Sequence, residues 1–319
     1  MTLGRALGLS ALLWAGFAQA QAPDALGWLR RIHDATHKLS YSGTFVYRSG
    51  DRTETSRITR YVDPSGDIEK VEVMDGVPRE IVRTRDTVRC YLPDARVVKV
   101  EQHLDRAGSE RGFPAFLPER ISALARHYDI ALGEAERVAG YECRTVTLMP
   151  KDDLRYGHKL YADTRTGMLL RAETFDAKNH LVEQFSFTQL IIGSVSRDKV
   201  KPSHAAKTWR VERSDASPAS LGWGLSSEFP GFRKVAELKR RIGDAGAVGQ
   251  VVYSDGLAAI SIFIEPLEGR REAAAGGLAS VGAIHIYTRE VSKHMVTVVG
   301  EAPAASVQRI ANAVELRRP

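Results

Sequence analysis

The chain has 319 residues, with 45 Lys and Arg against 39 Asp and Glu and a formal net charge of +6. That length is long for one domain and comfortable for two. The small cationic excess sits mainly in the first part and is not gathered on one stripe or helix. This argues against a nucleic-acid partner; a solvated surface explains it, and an anionic amphiphile stays open.

Met1–Ala20 carries one early cation, Arg5, an apolar run from about Leu7 to Phe17, and the small-residue ending Ala18-Gln19-Ala20. This is the pattern of a secretory signal peptide, cleaved after Ala20. The run is well short of the roughly 20 residues that span a bilayer, and no later segment reaches that length. No cysteine follows it for lipid attachment, so an exported, soluble mature protein is expected. Two cysteines in an exported chain most often pair, and Cys90 and Cys143 both lie in strand-like runs, Thr87–Leu92 and Tyr141–Leu148. A Cys90–Cys143 disulfide is therefore expected. Two buried free thiols are the alternative, and a Cα separation within about 7 Å decides between them.

Asp24–Leu39 places Leu26, Leu29, Ile32, Ala35 and Leu39 at three- and four-residue spacings, which predicts an amphipathic helix. Tyr41–Gln102 alternates β-branched or aromatic residues with charges and breaks at Ser49-Gly50-Asp51, Asp63-Pro64-Ser65-Gly66, Asp75-Gly76 and Pro93-Asp94-Ala95. An antiparallel meander with one face on a core follows. A polar loop, His103–Gly112, leads to a second predicted helix starting near Leu117, with Pro118 in its first turn and Ile121, Leu124 and Ala125 on one face. Strands return between Tyr128 and Gly193. About ten consecutive antiparallel strands accumulate twist and should curl into a half-barrel that clasps the helices over a cavity.

Composition shifts at Arg213–Ser220, a small polar stretch with a proline that reads as an interdomain linker. Beyond it Val248–Tyr253, Leu257–Glu265, Ala283–Tyr287 and Met295–Gly300 read as strands and Ala302–Leu316 as a terminal helix. Phe232–Ile242 fits helix or strand, and Arg270–Gly282, rich in Ala and Gly, reads as a mobile loop. The expected fold class is α+β: an N-terminal antiparallel half-barrel clasping helices, like a lipoprotein carrier, and a smaller C-terminal antiparallel sheet with helices. The expected division is 21–212, a linker at 213–220, and 221–319.

No constellation for chemistry emerges. Of nine histidines, only His33 and His37 share a helix face, and they lack a third ligand. Ser254-Asp255-Gly256 lies between two strand-like runs and is a hairpin turn rather than a nucleophile site. No nucleophile elbow, phosphate loop or dinucleotide fingerprint occurs. The chain is therefore read with no catalytic residue, no metal and no cofactor, and binding is the default function.

Five blocks in order, Asp75–Arg83 (DGVPREIVR), Arg137–Gly140 (RVAG), Pro150–Gly157 (PKDDLRYG), Tyr253–Ile264 (YSDGLAAISIFI) and Thr297–Pro303 (TVVGEAP), resemble the RseB/MucB family of sigma-E factor regulatory proteins. The resemblance runs from about Leu29 to the C-terminus. It implies a two-domain periplasmic protein that binds the periplasmic domain of an RseA/MucA-type anti-sigma factor and shields it from proteolysis. It also implies release by lipopolysaccharide or another acylated amphiphile. A periplasmic lipid or lipoprotein carrier is the competing reading, and a homo-oligomer is left open. For the amphiphile, Arg79, Arg83 and Arg155 are the candidate phosphate-binding cations, because a guanidinium donates two hydrogen bonds at once. For the anti-sigma factor, Trp209, Trp223, Phe232 and Tyr253 are the candidate contacts, as large aromatics beside an interdomain join.

Overall fold

The computed structural model describes residues 24–102, 117–118, 120–214, 216–241, 246–267 and 276–317. The predicted signal peptide and the loop at 103–112 lie outside them. The predicted first helix forms as α1 (Ala25–Lys38), with Leu29, Ile32, Ala35 and Thr36 buried at the expected spacing. It stops where Leu39 turns extended and its N–H caps the Ala35 carbonyl. Leu29 and Ile32 share a core with Val146, Leu148, Leu160, Ala162 and Leu169. Each such side chain contributes about 1.5–3 kcal/mol when removed from water, so packing rather than helix propensity holds α1.

The first sheet contains β1 (Tyr41–Ser49), β2 (Arg52–Asp63), β3 (Gly66–Val73), β4 (Glu80–Thr84), β5 (Thr87–Leu92), β6 (Val97–Gln102), β7 (Tyr128–Val138), β8 (Tyr141–Pro150), β9 (Gly157–Asp163), β10 (Leu169–Phe175), β11 (Leu181–Ile192) and β12 (Arg210–Ser214). Its order is β12-β6-β5-β4-β3-β2-β1-β11-β10-β9-β8-β7. Two meanders are thus zipped together along the antiparallel β1–β11 pair, and among the described residues of this sheet only β12 on β6 runs parallel. Phe45, Phe185 and Phe187 meet at that seam edge to face, with ring centroids 5.1–6.3 Å apart. Such pairs add about 0.5–1.5 kcal/mol beyond burial.

Several expectations are corrected. The second predicted helix is one short 3₁₀ helix, Ile121–Arg126, because only Ile121 and Leu124 are buried and the chain enters β7 two residues later. A three-residue apolar spacing stacks in a 3₁₀ turn without needing an α-helix. Cys90 and Cys143 are both free. They lie on β5 and β8 with seven strands between them in sheet order, and neighbouring strands are about 4.8 Å apart, so no disulfide joins them.

The second sheet has the order β13-β15-β16-β17-β20-β19-β18. Its strands are β13 (Ala216–Pro218), β15 (Arg233–Arg241), β16 (Ala247–Ser254), β17 (Ala259–Pro266), β18 (Gly277–Val281), β19 (Ile284–Val291) and β20 (His294–Gly300). β14 (Trp223–Leu225) pairs with β21 (Val314–Leu316) in a separate ribbon, and α2 (Ala304–Ala313) buries Val307, Ile310 and Ala311 in the second core. Within the ambiguous Phe232–Ile242 run, Arg233–Arg241 is a strand, fixed by pairing with β16, and Ile242 lies outside the described residues. The terminal helix is shorter than predicted because β14 captures Val314–Leu316 as a strand. The stretch read as a linker is mostly strand. β12 ends at Ser214 and β13 begins at Ala216, so the chain steps from the edge of one sheet to the edge of the next. Of the segment expected to be a mobile loop, 277–281 is edge strand β18, paired to β19, and 270–275 lies outside the described residues.

Candidate functional site at the junction of the two sheets

Two connections, one from each sheet, interlock. The loop 151–156 between β8 and β9 sends Leu154 into the second core, beside Phe229, Phe232 and Ile260. The turn between β16 and β17 sends Leu257 against the first core. That turn forms as predicted: the Asp255 carboxylate accepts from the Leu257 and Ala258 N–H groups at 2.9 and 2.8 Å, and Gly256 takes φ +103°. A Cβ at Gly256 would also lie 2.8 Å from Pro118, so both conformation and space demand glycine.

Asp255 then completes a buried cluster. Its Oδ2 accepts from Arg155 Nη1 at 2.8 Å and from the Tyr128 hydroxyl at 3.2 Å. Arg155 donates further through Nε to Asp152 at 3.0 Å and through Nη2 to the Pro230 carbonyl. Its guanidinium lies 5.1 Å from the Phe232 ring centroid and 5.7 Å from that of Tyr128. Both side chains of the Arg155–Asp255 pair are fully buried. Burial and the neighbouring Asp255 raise the Tyr128 hydroxyl pKa, while burial and Arg155 lower that of His127. Every nitrogen of Arg155 and both carboxylate oxygens of Asp255 have a partner, so the cluster clamps the two connections together. Beside it, the Ser306 hydroxyl donates to the Asp153 carbonyl at 3.0 Å and Arg309 to the Asp153 carboxylate at 3.0 Å. Arg240 on β15 bridges back to Glu101 on β6 at 2.6 Å.

The predicted site residues distribute unevenly around this junction. Arg155, expected at a lipid-binding rim, is instead sealed in the clamp; a side chain with no exposure cannot meet a ligand phosphate. Arg79 is 43% exposed and pairs with Glu54 at 3.2 Å, and Arg83 pairs with Glu69 at 2.6 Å. Both lie on or beside β4, away from Arg155. Trp223, Phe232 and Tyr253 are 5%, 8% and 9% exposed, inside the second core, so their rings are not a ready surface. All three belong to the core of the second sheet. Trp209 is half-buried against Tyr91 and His204 on the first sheet. Among the expected residues, Trp223, Phe232 and Tyr253 are brought together in the second core, and the Arg155 guanidinium lies against Phe232. Asp255 was legible in the sequence as a turn former but not as a charge partner. Nothing local pointed to the pairing, 100 residues away along the chain.

Two of the five sequence blocks, Pro150–Gly157 and Tyr253–Ile264, supply the interlocking connections between the sheets. Among the described residues no group of three or more His, Cys, Asp or Glu is placed to hold a metal, and no helix is long and apolar enough to cross a membrane. Fold and site define a two-sheet protein held by an interlocked junction. The MucB/RseB N-terminal domain profile matches residues 24–207 and the MucB/RseB C-terminal domain profile residues 217–315. The chain therefore belongs to the MucB/RseB family. The sigma factor AlgU regulatory protein MucB of Pseudomonas aeruginosa is 31% identical over 306 residues, covering 91% of this chain and 90% of its own. The sigma-E factor regulatory protein RseB of Haemophilus influenzae is 27% identical over 318 residues, covering 98% and 97%. A crystal structure of MucB in complex with MucA(peri) superposes with a TM-score of 0.73 at 28% identity, covering 93% of this chain and all of that one.

Proposed function

We propose that this chain is a periplasmic regulator of a sigma-E-type envelope stress response. It binds the periplasmic region of an RseA/MucA-type anti-sigma factor, shields it from proteolysis, and is released by lipopolysaccharide-type amphiphiles. The observation that carries the reading is the match, across both sheets, to a MucB solved with MucA(peri). We assign amphiphile sensing to residues 21–212, taken as a half-barrel with Arg79 and Arg83 at its rim. Partner binding is assigned chiefly to 221–319, with 213–220 joining the two.

For an amphiphile to release the partner it must bind the partner-free form more tightly, and the partner must weaken amphiphile binding by the same factor. A ligand without that difference shifts nothing however tightly it binds. A lipid A-like molecule below its micelle concentration should lower affinity for a labelled anti-sigma periplasmic segment at least about tenfold, a coupling of roughly 1.4 kcal/mol. Anisotropy titration with and without the lipid measures this. Unchanged affinity would remove the sensor, and no binding of the segment at all would remove the regulator. Retention of acylated lipoproteins instead of an anti-sigma factor from envelope extract would favour a carrier.

A further inference from the structure

A second contact between the sheets lies apart from the Arg155–Asp255 clamp. The turn joining β18 to β19 presses on the end of β1 so closely that a Cβ at Gly282 would overlap the Ser49 side chain. Ser49 is the β1 partner of Glu183 on β11. From the second sheet, His285 meets the Tyr156 hydroxyl at Nε2 (3.0 Å) and the Ser280 hydroxyl at Nδ1 (2.6 Å). His285 is the register partner of Gly300, and Glu301 follows it.

Around Glu183 stand Tyr47 of β1, Thr174 of β10 opposite it in register, and Glu301 from across the gap. Tyr156 before β9 and Asp176 after β10 complete the surroundings, with His158 held on Thr174 at 3.3 Å. No described cation offsets the Glu183–Glu301 pair. Burial and Glu301 raise Glu183 to about 7, while desolvation lowers the pKa of His285.

We infer that this contact is a proton-operated gate between the two sheets: it shuts on a protonated Glu183 and a neutral His285, and opens on the clamp as a pivot. This regulates the arrangement of the sheets and does not depend on the proposed partner. The two groups act with opposite sign. Glu183 holds its proton more tightly when the gate is shut, so its contribution is full below about 4.5, the ordinary carboxylate range, and is lost as pH rises to about 7. His285 loses its proton more readily when shut, so its contribution is full above about 6.5 and is lost on acidification.

Hydrogen exchange on the full mature chain between pH 5 and 8, corrected for intrinsic rates, tests the gate at residues 49–51 and 281–283. The Leu257 and Ala258 amides at the pivot serve as the internal reference. In His285→Gln the shut-to-open ratio should rise about fortyfold in all from pH 7 down to 5. In Glu183→Gln it should fall over the same range. Carboxyl NMR of the unsubstituted protein should show Glu183 titrating near 7, and Glu301→Gln should move it toward the ordinary carboxylate range. The inference is overturned if Glu183 titrates near 4.5, or if both variants keep one slope. Should either variant not fold, the carboxyl titration decides.

Discussion

The Arg155 and Asp255 side chains have left water entirely; Arg155 donates onward to Asp152 and the Pro230 carbonyl, and Asp255 accepts from Tyr128 and the turn backbone. Two desolvated ions repay their lost hydration only through such complete pairing. Removing one partner strands the other. Arg155→Met should therefore destabilise the protein by about 3–5 kcal/mol in urea unfolding. Adding Asp255→Asn to it should restore part of that loss, since Asn removes the stranded charge while its side-chain oxygen still accepts from the Leu257 and Ala258 N–H groups. Equal losses in the single and double variants would mean that Arg155 stabilises by packing on Phe232 alone.

Among the elements, α1 is placed by the β9–β10 hairpin as much as by its own apolar stripe. Arg31 Nη2 donates to the Thr164 carbonyl at 2.9 Å and the Arg165 carbonyl at 3.3 Å. Gly167 in the same turn has φ +79°, and a Cβ there would lie 2.8 Å from the Arg31 carbonyl oxygen. Gly167→Ala must therefore strain the turn and push α1 off the sheet. A loss of more than about 1 kcal/mol is expected, with faster amide exchange in α1 than in β1. A thermal midpoint equal to that of the parent would show that the helix does not rely on this approach. The same logic explains β15: its residues suit helix or strand, and the ladder to β16 selects the strand.

At the scale of the whole molecule, the exchange of Leu154 and Leu257 between cores means that neither sheet is fully packed alone. Contacts from Arg240 to Glu101 and from Arg309 to Asp153 add to the coupling but are partly solvated, so each is worth little. Leu154→Ala should cost about 2–5 kcal/mol, although the residue precedes the second sheet by many positions in the chain. Fluorescence of Trp223 in the second core should report that loss in step with far-UV dichroism. Separate transitions would show that the sheets unfold independently.

Periodicity alone determined α1, the meander of β1–β6 and β16, β17, β19 and β20 of the second sheet, because burying one face imposes a local pattern of two or 3.6 residues, and the Asp255-Gly256 pair marked its hairpin by turn chemistry. The five sequence blocks determined the family. Other features depend on partners distant in the chain. Pairing across sheets turned the supposed linker into β12 and β13 and shortened the last helix to give β21. Strand order separated Cys90 from Cys143. Burial moved Arg155 from a ligand rim to a clamp and set Trp223, Phe232 and Tyr253 in a core. A side chain's pattern within its own segment says which face it occupies, whereas its charge partner and its access to water are fixed by what the rest of the fold lays over that face.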